Sequence, residues 1–300
     1  MTKPDPRPPI CDYEGSNYRT EFWENRDRDY EDRVERVALR RLLPPDGGQR
    51  LLEIGAGFGR LTGEYRAFDQ VVLLDYSLSL LQEAQERLGR SRRFVYVAAD
   101  VYAMPFRAGV FDTATMVRVL HHMADAPAAL AQVARALAPG GVFILEYANK
   151  RNVKSLLRYA LRRQTWNPLD EAPVEFVELN FDFHPAYIQR SLRTAGFVEE
   201  RRLPVSFFRL SAFKAALPTD TLVQLDSLFQ RSGLLCTPSV FVRAHAARPD
   251  SSDNLAAGSL FACPETGAPL IAEGDTLVSR ASGRRWAIRD GIYDFKAPLE

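Results

Sequence analysis

The sequence predicts an α/β fold, a mostly parallel sheet with flanking helices, followed by a small C-terminal β-rich module. Three observations predict it. From residue 49 to about residue 149, short apolar runs alternate with helix-period segments, at spacings suited to right-handed strand–helix–strand crossovers. The first run ends in an acid and then carries glycine at every second position, Leu51-Leu52-Glu53-Ile54-Gly55-Ala56-Gly57-Phe58-Gly59-Arg60. Residues 247–258 (ARPDSSDNLAAG) have the small, polar composition of a linker and set off the last forty or so residues.

The elements follow in order. Residues 1–17 begin with a proline-rich stretch and read as a disordered lead-in. Helices are expected over 18–23 and 30–43; in the second, Val34, Val37, Ala38, Arg41 and Leu42 keep a helical spacing with charges on the other face. Pro44-Pro45-Asp46-Gly47-Gly48 stops it. After the glycine turn a helix is expected over 60–68. Residues 70–74 (QVVLL) read as a buried parallel strand ending in Asp75-Tyr76-Ser77. Ser77 caps the next helix, 77–88, which leaves Asp75 free for a ligand. A third strand over 93–97 runs on to Asp100-Val101, and a fourth ends in Arg118-Val119-Leu120-His121-His122. An alanine-rich helix over 127–137 stops at Pro139-Gly140-Gly141, and Glu146 and Tyr147, after the fifth strand, are expected to face the cleft.

The segment 151–163 reads as a basic amphipathic helix. Val153, Leu156, Leu157, Ala160 and Leu161 should pack on the core, with Arg151, Lys154, Arg158, Arg162 and Arg163 solvated; the alternative is a phosphate-binding or membrane-touching role. Residues 164–183 carry Trp166, Phe176, Phe181 and Phe183 in an irregular stretch of the kind that forms lids and binding loops. A helix over 184–192 closes at Gly196. Strands over 198–210 and 238–246 follow, separated by a helical insertion over about 211–235. The main domain is therefore 18–246 and the terminal module 259–300.

Composition excludes several classes. Net charge is +1 with a pI near 7.7, so no global field draws nucleic acid or an anionic surface. No apolar run approaches the roughly 18 residues of a membrane span. Neither a secretory signal nor a transit peptide is visible at the N-terminus. Three widely spaced cysteines, Cys11, Cys236 and Cys263, argue against a disulfide framework and fit a reducing, cytoplasmic compartment.

The glycine spacing separates two cofactors. A dinucleotide fingerprint, G-x-G-x-x-G, needs glycine where Arg60 stands. Glu53 sits badly beside a pyrophosphate but well beside an ammonium and a sulfonium. Asp75, twenty residues after Gly55, is placed to accept from ribose hydroxyls. The turn resembles motif I of the class I S-adenosylmethionine-dependent methyltransferases. Met104-Pro105-Phe106, the Phe111-Asp112 strand ending in V-L-H-H, Leu137-Ala138-Pro139-Gly140-Gly141 and Ala195-Gly196-Phe197 are similar to the ubiquinone/menaquinone-biosynthesis type.

The resemblance implies a Rossmann-like, seven-stranded sheet with the last strand antiparallel, and S-adenosylmethionine as cofactor. It places Glu53, Gly55, Ala56, Gly57 and Gly59 around the methionine portion, Asp75 and Tyr76 at the ribose, Asp100 and Val101 at the adenine, and Arg118 at the methionine carboxylate. The activity implied is methyl transfer to a carbon or oxygen of a small-molecule acceptor. A sulfonium leaving group is already activated, so a base is needed only if the acceptor holds its proton. His121 and His122, with His184 as an alternative, are the candidates; each also has a plainer reading, packing beside the cofactor for the pair and helix capping for His184. Tyr18, Phe22 and Trp23 form a candidate aromatic flap.

The terminal segment, Cys263-Pro264-Glu265-Thr266-Gly267 with Ser279 to Gly283, resembles a zinc-ribbon-like methyltransferase-activator module. Thr266, Ser279 and Ser282 stand where its other cysteines would be. One cysteine cannot close a zinc site, so no metal is expected. Leu260, Leu270, Trp286, Ile288, Ile292 and Phe295 should hold it, packed on its own methyltransferase domain or a partner protein. Two further functions compete: methylation of a translation component, and a non-catalytic cofactor-binding or interaction protein. Nucleic acid is disfavoured, with no Asn-Pro-Pro-Tyr run and no basic arm; Arg60 disfavours a dehydrogenase.

Overall fold

The computed structural model describes residues 8–16, 19–24, 28–247 and 260–299. Five parallel strands form the centre: β1 (Gly48–Ile54), β2 (Phe68–Asp75), β3 (Phe94–Ala98), β4 (Phe111–Met116) and β5 (Leu137–Ala148). The helices among them are α1 (Asp29–Leu42), α2 (Leu78–Leu88) and α3 (Ala126–Ala136). An insertion follows β5, consisting of α4 (Val153–Ala160) and the hairpin β6 (Val174–Val177) and β7 (Asn180–Asp182). The chain then runs through α5 (Pro185–Thr194), β8 (Phe197–Val205), α6 (Ser211–Ala216), α7 (Thr219–Phe229) and β9 (Ser239–Ala246). Strand β9 is antiparallel to both β5 and β8, the expected edge pair.

The seven strands β3-β2-β1-β4-β5-β9-β8 bury Leu51, Leu52, Val71 to Leu74 and Ile144 on both faces, which is why they read as continuous apolar runs. The order reverses between β1 and β4, and the carboxyl ends of these strands open the crevice where ligands of such sheets bind.

The helix expected over 60–68 does not form. One 3-10 turn, Thr62–Glu64, stands there, and the chain enters β2 at Phe68. Gly57 and Gly59 both have positive φ and Gly63 adds a third glycine, so the segment is spent on turns. The 211–235 insertion holds two helices, and α7 packs on α1: Tyr30 Oη donates to Asp226 at 2.6 Å and Arg41 Nη2 to Ser227 Oγ at 2.6 Å.

The terminal strands β10 (Leu270–Glu273), β11 (Thr276–Ser279), β12 (Arg285–Arg289) and β13 (Ile292–Leu299) continue the main sheet beyond β3, so that eleven strands of the described residues form one sheet. Strand β13 lies parallel to β3, with Ile292, Tyr293 and Asp294 opposite Tyr96, Val97 and Ala98. The phenyl rings of Phe106 and Phe261 stack 6.1 Å apart, and Arg107 N donates to Leu260 O at 3.2 Å. Leu270, Trp286, Ile292 and Phe295 are buried. Cys263 Sγ lies 3.8 Å from Ser282 Oγ, and Ser282 N donates to Ser279 Oγ at 3.3 Å. No helix among the described residues is long and apolar enough to cross a membrane.

Candidate functional site

Two adjoining lobes open at the carboxyl ends of β1, β2 and β4, and both are lined by Ile54, Gly55, Gly57 and Arg118. They are built by the glycine turn. Gly55 N and Ala56 N donate to Leu74 O, at 2.7 and 3.0 Å, and Gly57 N donates to Asp75 Oδ2 at 2.7 Å. A Cβ on Gly55 would stand 2.1 Å from Val119 Cγ2, so β4's end packs directly on the turn. A Cβ on Gly57 would meet nothing within 4 Å, and this bare backbone faces the cleft.

The first lobe is lined by Trp23, Glu53, Arg60, Tyr65, Thr115 and Arg118, among others. Glu53 is buried, and burial pushes its carboxyl up to about 7, against the Thr62 hydroxyl, which donates to Oε2 at 2.6 Å. The nearby guanidinium groups are committed elsewhere: Arg60 to Asp32 and Glu35, and Arg118 to Glu35. Arg118 Nε donates to Glu35 Oε1 at 2.7 Å, and the Arg60 guanidinium stacks 3.8 Å from the Trp23 ring. Arg118 is held at φ 60°, a region that non-glycine residues enter rarely. Its N donates to Glu146 Oε2 at 2.9 Å. A buried carboxylate without an ion pair among the described residues fits the ammonium and sulfonium of S-adenosylmethionine.

The second lobe is the more open and more apolar of the two. Asp75, Tyr76, Leu80, Ala99, Val101 and Met123 line one side, and Ile10, Cys11 and Tyr13 another. Burial raises the Asp75 carboxyl, against backbone bonds from Ser77, Gly57 and Tyr76. Asp75 is thus not wholly free, as the Ser77 cap had implied: its two oxygens already accept from Gly57 N and Ser77 N, while Ser77 Oγ accepts from Leu80 N as expected. Each oxygen keeps a second lone pair for a ligand hydroxyl. An acid flanked by an apolar slot suits a ribose and a purine.

The N-terminal stretch read as a disordered lead-in supplies a wall of this lobe where it is described. Glu14 accepts from Leu78 N at 2.7 Å and Ser79 N at 3.1 Å, filling the open donors at the start of α2. Tyr13 Oη then lies 3.2 Å from His122 Nε2. His122 Nδ1 is 3.0 Å from Leu179 O, so Nδ1 carries the proton and Nε2 accepts from Tyr13. Burial lowers both His121 and His122, and His122, Arg118, Arg209 and Arg28 lower His121 further. The pair is neutral at pH 7.

The remaining candidates are placed differently. Gly59 and Asp100 line neither lobe; Asp100 Oδ1 accepts from Tyr102 N at 2.8 Å and caps the turn Val101–Ala103. His184 is used as the N-cap of α5, accepting from Ala186 N at 3.2 Å, and lines neither lobe. Glu146 and Tyr147 cannot both face the cleft, because neighbours on a strand point to opposite faces. Glu146 is bound by Ser239 Oγ at 2.6 Å, and Tyr147 is buried in the core. Of the aromatic flap, Trp23 lines the first lobe; Tyr18 and the Phe22 side chain lie outside the described residues.

Three groups were not singled out from the sequence. Glu35 gathers Arg60 and Arg118, Tyr13 meets His122, and Asp182, on β7, is raised by burial to about 6. Alternation around the buried Phe183 was the available signal for Asp182; Glu35 carried none.

The comparisons agree with this geometry. The methyltransferase-domain family profile matches residues 52–145. The ubiquinone/menaquinone biosynthesis C-methyltransferase UbiE of Teredinibacter turnerae is 34% identical over 173 residues, 51% of this chain and 69% of that protein. The demethylmenaquinone methyltransferase of Corynebacterium kroppenstedtii is 34% identical over 111 residues, 37% of this chain. The chain spans about half the length of that relative, 46%. Among solved structures, an S-adenosylmethionine-dependent methyltransferase from Mesorhizobium loti superposes with a TM-score of 0.51 at 25% identity, over 71% of this chain and 97% of that one.

Proposed function

This chain belongs to the class I S-adenosylmethionine-dependent methyltransferases, and from that premise we propose that it methylates a carbon or oxygen of a small-molecule acceptor. The observation that carries this reading is His122, which lines the second lobe with Nδ1 on Leu179 O and Nε2 3.2 Å from Tyr13 Oη; His121 lines neither lobe. Relatives named for quinone biosynthesis support the acceptor class. Glu53 and the bare backbone at Gly57 hold the methionine end; Asp75, Tyr76 and Val101 hold the nucleoside, with Arg118 at the junction. The cofactor supplies an activated methyl group. The chain's own residues align it, exclude water and receive the acceptor's proton. His122 Nε2 is the receiving atom, and Tyr13 yields its hydrogen bond when the acceptor enters. His121 adds a second neutral imidazole, its ring 4.0 Å from that of His122. A cytoplasmic setting is part of the same reading.

Residues 260–299 are read as a relic of a zinc-ribbon activator, with Cys263, Ser279 and Ser282 gathered where a metal knuckle would be. In this chain the relic covers the edge of β3.

Incubation with a panel of phenols, hydroquinones and acidic carbon compounds, followed by mass spectrometry, tests the acceptor. We expect one class to gain a methyl mass. Changing His122→Ala should lower kcat by about a hundredfold or more, with a much smaller change in cofactor affinity. Methylation of RNA or a protein alone, with salt-dependent RNA binding, would replace the small-molecule reading.

A further inference from the structure

Helix α4 sits on the fold the wrong way round for a core helix. Its sequence places Val153, Leu157 and Leu161 at i, i+4 and i+8 on one apolar stripe. A surface helix normally turns such a stripe inward. Here Ser155, near the opposite side, is the buried residue, and Val153, Leu157 and Leu161 are 50, 57 and 62% exposed. Lys154 and Arg158 border the stripe along one side and Arg162 follows just past the helix end, all three exposed, and no acid occurs between 151 and 163.

The same insertion carries a second apolar projection. Phe176 and Val177, in the β6–β7 hairpin, are 55 and 58% exposed. Glu175, beside them, is folded back on the turn and accepts from Leu179 N at 2.8 Å. The insertion leaves and re-enters the domain at one point, where Lys150 N donates to Phe183 O and Phe183 N to Ala148 O. Its inner side reaches the site, through Leu179 O on His122.

Exposed apolar residues edged by basic ones, with no acid in the helix, are the chemistry of a helix that lies in a lipid–water interface. The apolar stripe enters the acyl boundary, and the Lys and Arg stems reach up to anionic headgroups. A protein groove would need an acidic rim matched to these side chains, whereas an anionic lipid surface meets the stripe and the basic residues without such a match. We propose that α4, aided by Phe176 and Val177, docks this protein on an anionic lipid surface. Docking presents the cleft, by way of the His122–Leu179 contact, to an acceptor arriving from the bilayer.

The test is co-sedimentation of the full chain with vesicles of phosphatidylcholine alone and with added phosphatidylglycerol, in low and high salt. No cofactor or acceptor is present, so a failure here leaves the acceptor reading standing, and the reverse. We expect binding to the anionic vesicles that falls with salt. The double changes Leu157→Ser with Leu161→Ser, and Arg158→Glu with Arg162→Glu, should each weaken it about tenfold or more. Leu210→Ser, at an exposed leucine outside the insertion, should bind as the parent does. Circular dichroism of each variant checks that it is folded. Absence of binding to either vesicle would overturn the proposal, as would equal binding by the folded double variants. So would salt-independent binding to both vesicles, or a self-association abolished by the Leu157 and Leu161 changes, which would assign the stripe to a second copy.

Discussion

Glu53, proposed to hold the cofactor's methionine end, is a buried acid that burdens the empty protein. Its folded carboxyl stands at about 7 against 4.5 for the free side chain, raised by burial. A carboxyl raised on folding contributes its stability below the unfolded value, and that contribution is lost as pH climbs through 4.5 towards 7. At pH 8 the ionised side chain costs on the order of 3 kcal/mol. Glu53→Gln removes the charge and keeps an acceptor for the Thr62 hydroxyl. It should therefore melt higher than the parent at pH 8, melt alike near pH 5, and bind S-adenosylmethionine more weakly. Thermal melts at the two pH values check the first half; a variant that melts lower at both would show that Glu53 is ionised and paired in the empty protein.

At the scale of elements, the pairing of β13 with β3 is the junction most exposed to failure. Strand β3 would otherwise end the parallel sheet with open N–H and C=O groups, a template for aggregation. β13 pairs with that edge, and the Phe261 ring packs among Phe106, Tyr293 and Phe295. Phe261→Ala should cost roughly 3–5 kcal/mol by opening that contact. A chain ending at residue 247 should aggregate on warming at a lower temperature than the parent. Unchanged melting and solubility of the shortened chain would mean that the module contributes nothing to the domain.

The elements also show what was readable. The glycine turn, β1 to β5 and the β8–β9 edge pair were legible because apolar runs, glycine and proline are local signals. Helix 60–68 was misread because Gly57, Gly59 and Gly63 commit the segment to turns, a cost the helix assignment did not count. The outward face of α4 was misread because periodicity gives a stripe but not its direction. The β13–β3 pairing and the Glu35 contacts join residues far apart in the chain, and no local pattern announces them. The Tyr13 contact was hidden because a proline-rich lead-in resembles disorder until its acid finds the start of α2.

The molecule as a whole is a sheet whose ligand end is closed from several directions: the N-terminal stretch beside α2, Trp23 over Arg60, and the insertion behind His122. The wall around the second lobe is tied to the terminal module as well, since Lys296 lies 3.4 Å from Glu14 and its ammonium 5.0 Å from the Tyr76 ring. Everything depends on the two lobes forming one cofactor site. Calorimetric titration with S-adenosylmethionine, S-adenosylhomocysteine and NAD, on the parent and on Asp75→Ala, tests that most directly. We expect binding of both sulfur ligands in roughly the micromolar range, about −8 kcal/mol, and no heat with NAD. Asp75→Ala should weaken the sulfur ligands about tenfold or more, the loss of a charge-assisted hydrogen bond. Folded parent protein that binds neither sulfur ligand, or binds them as tightly without the Asp75 carboxylate, would contradict it.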